Sequence, residues 1–331
     1  MWKFIVRRIS LALVIILCGS FIIYGVMRCM PTSFVESLAR QRAAASATTG
    51  GASYEEWLEK LNEAYHMNDG VIGGFVNWLG NVLKGDFGES WKYGMSVTQK
   101  FGDVIWYSVV LNVITLVLQV AICIPLGIQA ARRQYSGFDY GITVFAMLCI
   151  SLPTFFLATV LKYIFAVKLG WFDLYGIVGR YYEQLDGWGK VMDMCKHMVL
   201  PVLTLTMLNI GGLTRYTRTN MLEVLNADYI RTARAKGLSE KVVINRHAFR
   251  NTLIPLVSYM SYLVPSLFSG SMITETLYQI PGIGYIAYDA MVAGDLPFTM
   301  FYSVFGLVLT QISLMLADIM YAVVDPRVRV N

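Results

Sequence analysis

Six stretches without a charged residue, each close to the length of a membrane-spanning helix, constrain this chain more than any other feature. They run 9–27, 104–131, 140–161, 198–214, 251–274 and 296–317. A helix rises about 1.5 Å per residue, and the hydrocarbon core of a bilayer is about 30 Å thick, so roughly 20 apolar residues make one crossing. The fourth stretch is the shortest and needs flanking residues to complete a span. Of the 331 residues 56% are hydrophobic and 15% charged, where a soluble domain carries about 25% charge. The expected fold class is therefore an all-α integral membrane protein with six transmembrane helices.

Lys and Arg set the orientation, because they collect on the cytoplasmic side of short loops. With both termini inside, the inside segments hold Lys3, Arg7, Arg8, Arg132, Arg133, Arg215, Arg218, Arg231, Arg234, Lys236, Lys241, Arg246, Arg250, Arg327 and Arg329. Acidic residues outnumber basic ones in the outside segments. The net charge of +5 thus reflects membrane asymmetry. It does not point to nucleic acid, for which the chain has no reader module. The N-terminus has the charged and apolar parts of a secretion signal but no small-residue cleavage site, so it reads as an uncleaved anchor. Cys18, Cys123 and Cys149 fall within spans and read as small apolar fillers. Cys29 and Cys195 both fall outside near the membrane surface, and the expectation is two unpaired thiols.

Two parts divide the chain: residues 1–104, a first span with a large outside loop, and 105–331, a five-helix core carrying the inside loop 215–250. The outside loop opens with low-complexity sequence, 43–52, expected to be flexible. Ser53 and Glu56 then form a capping-box pattern, followed by Tyr54, Trp57, Leu58, Leu61 and Tyr65 at helical spacing. The acids on the other face favour packing on a small loop core over lipid binding. A second short helix around Phe75, Trp78, Leu79 and Leu83 is expected to end at Gly85. The second outside loop carries Trp171, Phe172, Tyr175, Tyr181, Tyr182 and Trp188, aromatics suited to the interface belt. In the third, Pro281, Gly282 and Gly284 break regular structure. No phosphate-cradling G-x-x-x-x-G-K-[ST] occurs, and His66, His197 and His247 lie far apart, so neither a metal site nor a catalytic cluster is expected.

The basic loop is the one long polar excursion on the inside. Within 228–250, Ala233, Ala235 and Gly237 leave a small, smooth surface ringed by Arg231, Arg234 and Lys236. Leu238 follows, then Ser239 as the expected N-cap of a helix 240–249. An ordinary positive-inside loop explains the charge but not the order helix, glycine, capped helix. Small residues let a partner's cleft close on the backbone, and flanking cations fix orientation on an acidic rim.

Here the sequence resembles the permeases of binding-protein-dependent ABC importers. Their general pattern is Glu-Ala-Ala, three residues, Gly, nine residues, Ile-x-Leu-Pro. Aligned on Gly237, the chain shares Ala233 and Gly237, with Arg231, Thr232, His247, Phe249 and Arg250 at the other places. The stretch Asp228-Tyr-Ile-Arg-Thr-Ala-Arg-Ala-Lys-Gly237 is similar to one branch, the first permease subunit of the dipeptide, oligopeptide and nickel importers. So are Phe4-Ile-Val-Arg-Arg-Ile9, Gly85-Asp-Phe-Gly-Glu-Ser90, Ser151-Leu-Pro-Thr-Phe155, Met221-Leu-Glu-Val-Leu225, Glu275-Thr-Leu-Tyr278, Pro281-Gly-Ile-Gly284 and Asp325-Pro-Arg-Val-Arg329, in that order.

The resemblance implies a type I importer permease fold in a prokaryotic cell membrane. It implies a second homologous permease, two ABC ATPase subunits and an extracytoplasmic solute-binding protein. This chain would bind no cofactor, and ATP and Mg would be used by the ATPases. The ATPase-coupling residues would be Arg231, Thr232, Ala233, Arg234, Ala235, Lys236, Gly237, Leu238, Ser239, Val242 and Val243. Peptides lead as the solute by family weight, with oligosaccharides and nickel complexes as alternatives. An ion-coupled carrier would show more ionisable residues at mid-membrane. Two further features stand beside the resemblance. Ser258, Tyr262, Ser266 and Ser269 share one helical face on the fifth span and are candidates for a translocation path or for helix packing. Asp318, near the end of the sixth span, is expected to form a structural pair with a basic residue of the inner loop.

Overall fold

The computed structural model describes residues 2–28, 34–46, 52–64 and 70–324. Cys29, Tyr65, His66, residues 47–51 and the C-terminal Asp325–Arg329 motif lie outside them. Among the described residues the regular structure is helical apart from one hairpin of two-residue strands. Two compact units divide it: 1–104 with 286–311, and 105–285 with 312–331.

In the first unit, α1 (Trp2–Arg28) is an apolar helix with most of its large side chains exposed, as a lipid-facing helix requires. It is followed by α2 (Phe34–Ser46), α3 (Tyr54–Ala64) and α4 (Val71–Val82). Residues 43–46, expected to be flexible, extend α2, because alanine favours the helix. The capping box at α3 is formed: Ser53 Oγ accepts from Glu56 N at 3.3 Å, and Glu56 Oε2 accepts from Ser53 N at 3.1 Å. The apolar face of α3 packs on α2, with Leu61, Tyr54, Trp57 and Leu58 against Val35, Leu38 and Ala39. That helix therefore covers a local core. After α4 the chain turns at Gly85, whose φ is +84°, as the sequence predicts. The hairpin β1 (Glu89–Ser90) and β2 (Met95–Ser96) is held by Asp295, which accepts from Ser90 Oγ and from Lys92 N at 3.2 Å. Asp295 also caps α15 (Leu296–Val324) by accepting from Phe298 N at 3.2 Å.

The second unit is built on α8 (Gly187–Leu225), with α5 (Val97–Arg132), α6 (Gly137–Ser151) and α7 (Thr154–Leu161) around it. Backbones approach α8 closely at two glycines. A Cβ on Gly211 would lie 2.4 Å from Ala146 O, and one on Gly127 would lie 2.9 Å from Thr214 O. Small residues allow such crossings between membrane helices. Among the described residues four helices are long and apolar enough to span a bilayer, and two bent helix pairs bring the number to six if each is one span. The expected third span, 140–161, bends by 104° between α6 and α7. Pro153 lacks an N–H and drives Leu152 into extended backbone, ψ 129°. The α7 helix then continues as a wider π-wound turn, Lys162–Lys168.

The fifth span is also not one helix. It comprises α11 (Phe249–Ser261), α12 (Val264–Ser269) and α13 (Met272–Tyr278), broken at Tyr262–Leu263 and at Gly270, φ +76°. Pro265 cannot donate to the carbonyl of Ser261, and Ser313 Oγ from α15 takes that acceptor at 2.6 Å. Beyond it, α14 (Ile283–Val292) follows a turn in which Gln279 adopts φ +52°.

That turn is locked by Glu275, a buried carboxylate on α13. Its Oε1 accepts from Ser108 Oγ and from Ser271 N, both at 2.8 Å, and its Oε2 accepts from Tyr285 N at 3.1 Å. Gly270, Gly282 and Gly284 close around it: a Cβ on Gly282 would meet Glu275 Oε2 at 2.5 Å, and one on Gly284 would meet Met272 N at 2.7 Å.

Candidate functional site

The segment from α8 to α11 folds as the helix, glycine, helix order predicts. Helix α9 (Asp228–Ala235) stops at Gly237, whose φ is +77° with open space where a Cβ would stand. Glycine serves here for its backbone freedom, not for a close approach. A second helix begins at α10 (Glu240–Val242), widens into a π-wound turn, Val243–Ala248, and runs into α11. Ser239 stands at the N-cap position, but its hydroxyl makes no capping bond; its backbone carbonyl accepts from Val242 N and Val243 N instead, at 2.9 and 3.0 Å. The second helix therefore does not end at Phe249. It is continuous with a span.

Beneath the loop lies its own core: Ala131, Met221, Ile230, Ala233, Val243, Ile244 and Ala248, with Leu222, Leu225 and Phe249 against them. This corrects the sequence-based surface. Ala233 is 7% exposed and Val243 is fully buried, so neither can be reached by a partner. Ala233 is small because α9 must pack closely on the 243–248 turn. Arg231, Thr232, Arg234, Ala235, Lys236, Gly237, Leu238, Ser239 and Val242 are exposed.

Arg234 forms a bidentate pair with Glu240, Nε to Oε2 at 3.2 Å and Nη2 to Oε1 at 2.8 Å. The pair raises the arginine's already high pKa and braces α9 against α10 across Gly237. Arg231 lies 3.6 Å from Asp228 at the surface.

Two contributions escaped the sequence reading. Tyr229 is 49% exposed, and in the same segment Leu238 is 40% and Val242 37% exposed. The surface therefore has apolar anchors as well as cations. Its signal was present: Tyr229 lies between Asp228 and the inward-facing Ile230 on an amphipathic turn. Arg218, counted among the loop's cations, is instead paired with the buried Asp139, Nε to Oδ1 at 2.6 Å and Nη2 to Oδ2 at 2.8 Å. Asp139 also accepts from Tyr135 N at 3.0 Å. This clasp ties the start of α6 to the end of α8, where the loop begins.

The four polar residues of the fifth span differ in their exposure. Ser258 is buried on α11, Tyr262 caps that helix and is exposed, Ser266 is exposed on α12, and Ser269 is half-buried at its end. The break at Tyr262–Leu263 removes the regular spacing. Asp318 is half-buried on α15. His197 is buried, with Nδ1 2.8 Å from Asp193 O, and the described residues contain no cluster suited to a metal.

Apolar helices of spanning length, together with one folded polar loop seated on their ends, describe a polytopic membrane protein. The chain belongs to the family of binding-protein-dependent transport system inner membrane components, whose model matches residues 123–330. It thus has the type I ABC permease fold. It is 34% identical over 329 residues to the oligopeptide transport system permease protein AppB of Bacillus subtilis, covering 99% of both chains. It is 32% identical over 315 residues to the oligopeptide transport system permease protein OppB of Salmonella typhimurium, covering 93% of this chain and 99% of that one. A putative peptide transport system permease protein of Brucella abortus is 31% identical over 330 residues, with 99% of each chain covered.

Proposed function

We propose that this permease carries peptides inward and is driven in trans. It would pair with a second permease to enclose the pathway, receive solute from an extracytoplasmic binding protein, and rest on two ATPase subunits that use ATP and Mg. The peptide assignment is supported by the relatives, which are named oligopeptide and peptide transport permeases. In this reading the 215–250 loop and both termini face the cytoplasm, as the Lys and Arg distribution favours. Asp318 is a structural charge at the cytoplasmic end of α15.

One observation carries the coupling role. The exposed residues Tyr229, Arg231, Leu238 and Val242 sit on a small core shared with the ends of α5, α8 and α11. A push on this surface therefore reaches three spanning elements without bending a loop. ATP closure in the partner subunits would move α9, and the Asp139–Arg218 clasp would pass that movement to α6.

Purification of the tagged chain from its native membrane in mild detergent tests the proposal. An ATP-hydrolysing subunit should copurify, and peptide uptake after reconstitution should require it. Peptide uptake by the chain alone would contradict the reading.

A further inference from the structure

Within the second unit, α5, α8 and the broken fifth span line a partly open cavity of about 150 Å³. That is well above the roughly 10–15 Å³ a single water needs. Its polar lining comes from Asn112, Thr115 and Gln119 on α5, Asn209 on α8, and Ser266 and Ser271 on either side of Gly270. The first three recur at helical spacing, so they share a face of α5. No charged or aromatic side chain lines the cavity, and leucines fill the rest.

Two features mark this cavity as more than a packing gap. Asn112 is 8% exposed; its Oδ1 accepts from Ser271 Oγ at 2.9 Å, while its Nδ2 is buried without a partner. Turning the amide over exchanges the two ends and still leaves one of them unpaired. Among the described residues Gln119 makes only one long bond, Nε2 to Asn209 O at 3.5 Å. Second, the fifth span loses its helix beside this cavity, at Tyr262–Leu263 and at Gly270. Irregular backbone at membrane depth is tolerated where it is buried in protein or lines a wet cavity. Broken helices in other transporters place polar backbone around the carried solute.

We infer that this cavity is a solute-contact site within the permease, which hydrogen-bonds the neutral amide groups of a passing peptide backbone. The inference rests on the importer reading and names the part of the chain that meets the solute. Asn and Gln each offer a donor and an acceptor, matching the N–H and C=O of a peptide unit. The lack of charge makes the site indifferent to side-chain charge and terminal groups. The lack of aromatic rings gives sugar faces nothing to stack on. Ser266 belongs to the site; Ser258 and Tyr262 do not line it.

The complete complex, reconstituted in vesicles with its binding protein, provides the test, with labelled tetra-alanine as the probe. Asn112→Leu with Gln119→Leu should lower uptake about tenfold, the value of one to two neutral hydrogen bonds. Assembly and ATPase stimulation by loaded binding protein should stay within about twofold of the unsubstituted complex. Unchanged uptake in that double variant overturns the site. A second variant guards against misfolding: Ser266→Cys in a background with Cys18, Cys29 and Cys195 changed to Ser. Its thiol should react with a water-soluble reagent, and peptide during turnover should slow that reaction. No reaction, or no slowing during uptake, overturns the site as well. If the unsubstituted complex carries labelled maltotetraose but not tetra-alanine, the peptide assignment fails. Protection of Ser266→Cys by the sugar would then reject amide recognition specifically.

Discussion

Gly237, in the short break between α9 and α10, and Gly284, in the first turn of α14, do opposite work. Gly237 has nothing within 4 Å of the place its Cβ would take, and it is needed for a φ of +77°. Gly284 has Met272 N at 2.7 Å and Met272 Cα at 2.9 Å in that place. The first glycine displays a surface, and the second closes a joint. The loop 228–242 is open, as the proposed docking of a partner subunit requires. The 270–285 segment is already complete, with Glu275 accepting from three donors on three sides.

This contrast can be broken by substitution. Gly284→Ala should have the largest effect, because its methyl meets backbone that cannot swing away. Overpacking costs about 1–3 kcal/mol when side chains can shift, and here the upper end or more is expected, seen as loss of folded protein in detergent. Recovery of the variant at normal yield would show that the joint is loose. Glu275→Gln comes next. It keeps the shape but turns a donor toward Ser271 N or Tyr285 N, costing about 1–3 kcal/mol, read as a lowered melting midpoint with transport lost in proportion to folded protein. Gly237→Ala should cost only about 1–2 kcal/mol of local strain. Its melting midpoint should barely move, since α9 can yield locally, while coupling of ATP hydrolysis to uptake declines. A large stability loss at Gly237 and none at Gly284 would reverse the comparison.

The same contrast shows what could be read in advance. Apolar runs and basic loops report local composition, so the spans and the helix–glycine–helix order were legible. The capping box of Ser53 and Glu56 was legible because both partners lie within one turn. Inward and outward faces of short segments were not. Ala233 appeared as surface because nothing local announces that the 243–248 turn covers it. The prolines show the limit most clearly. Pro125 and Pro201 lie inside continuous α5 and α8, while Pro153 ends α6 in a 104° bend. Whether a membrane helix survives a proline depends on what satisfies the freed carbonyl, which is set by neighbours far along the chain. Glu275, with Ser108 167 positions away, and Arg218, with Asp139 79 positions away, were invisible for the same reason.

The central claim is that the exposed side of α9 and α10 receives an ATPase subunit. The most direct measurement is the ATPase rate of the purified complex, with and without loaded binding protein, carrying Tyr229→Ala and Leu238→Asp together. Both side chains point away from the core beneath the loop, so the variant should fold and melt as the parent does. The account predicts that the ATPase subunits dissociate on purification and that stimulation by loaded binding protein disappears. A complex that retains both its ATPase subunits and full stimulation would contradict it.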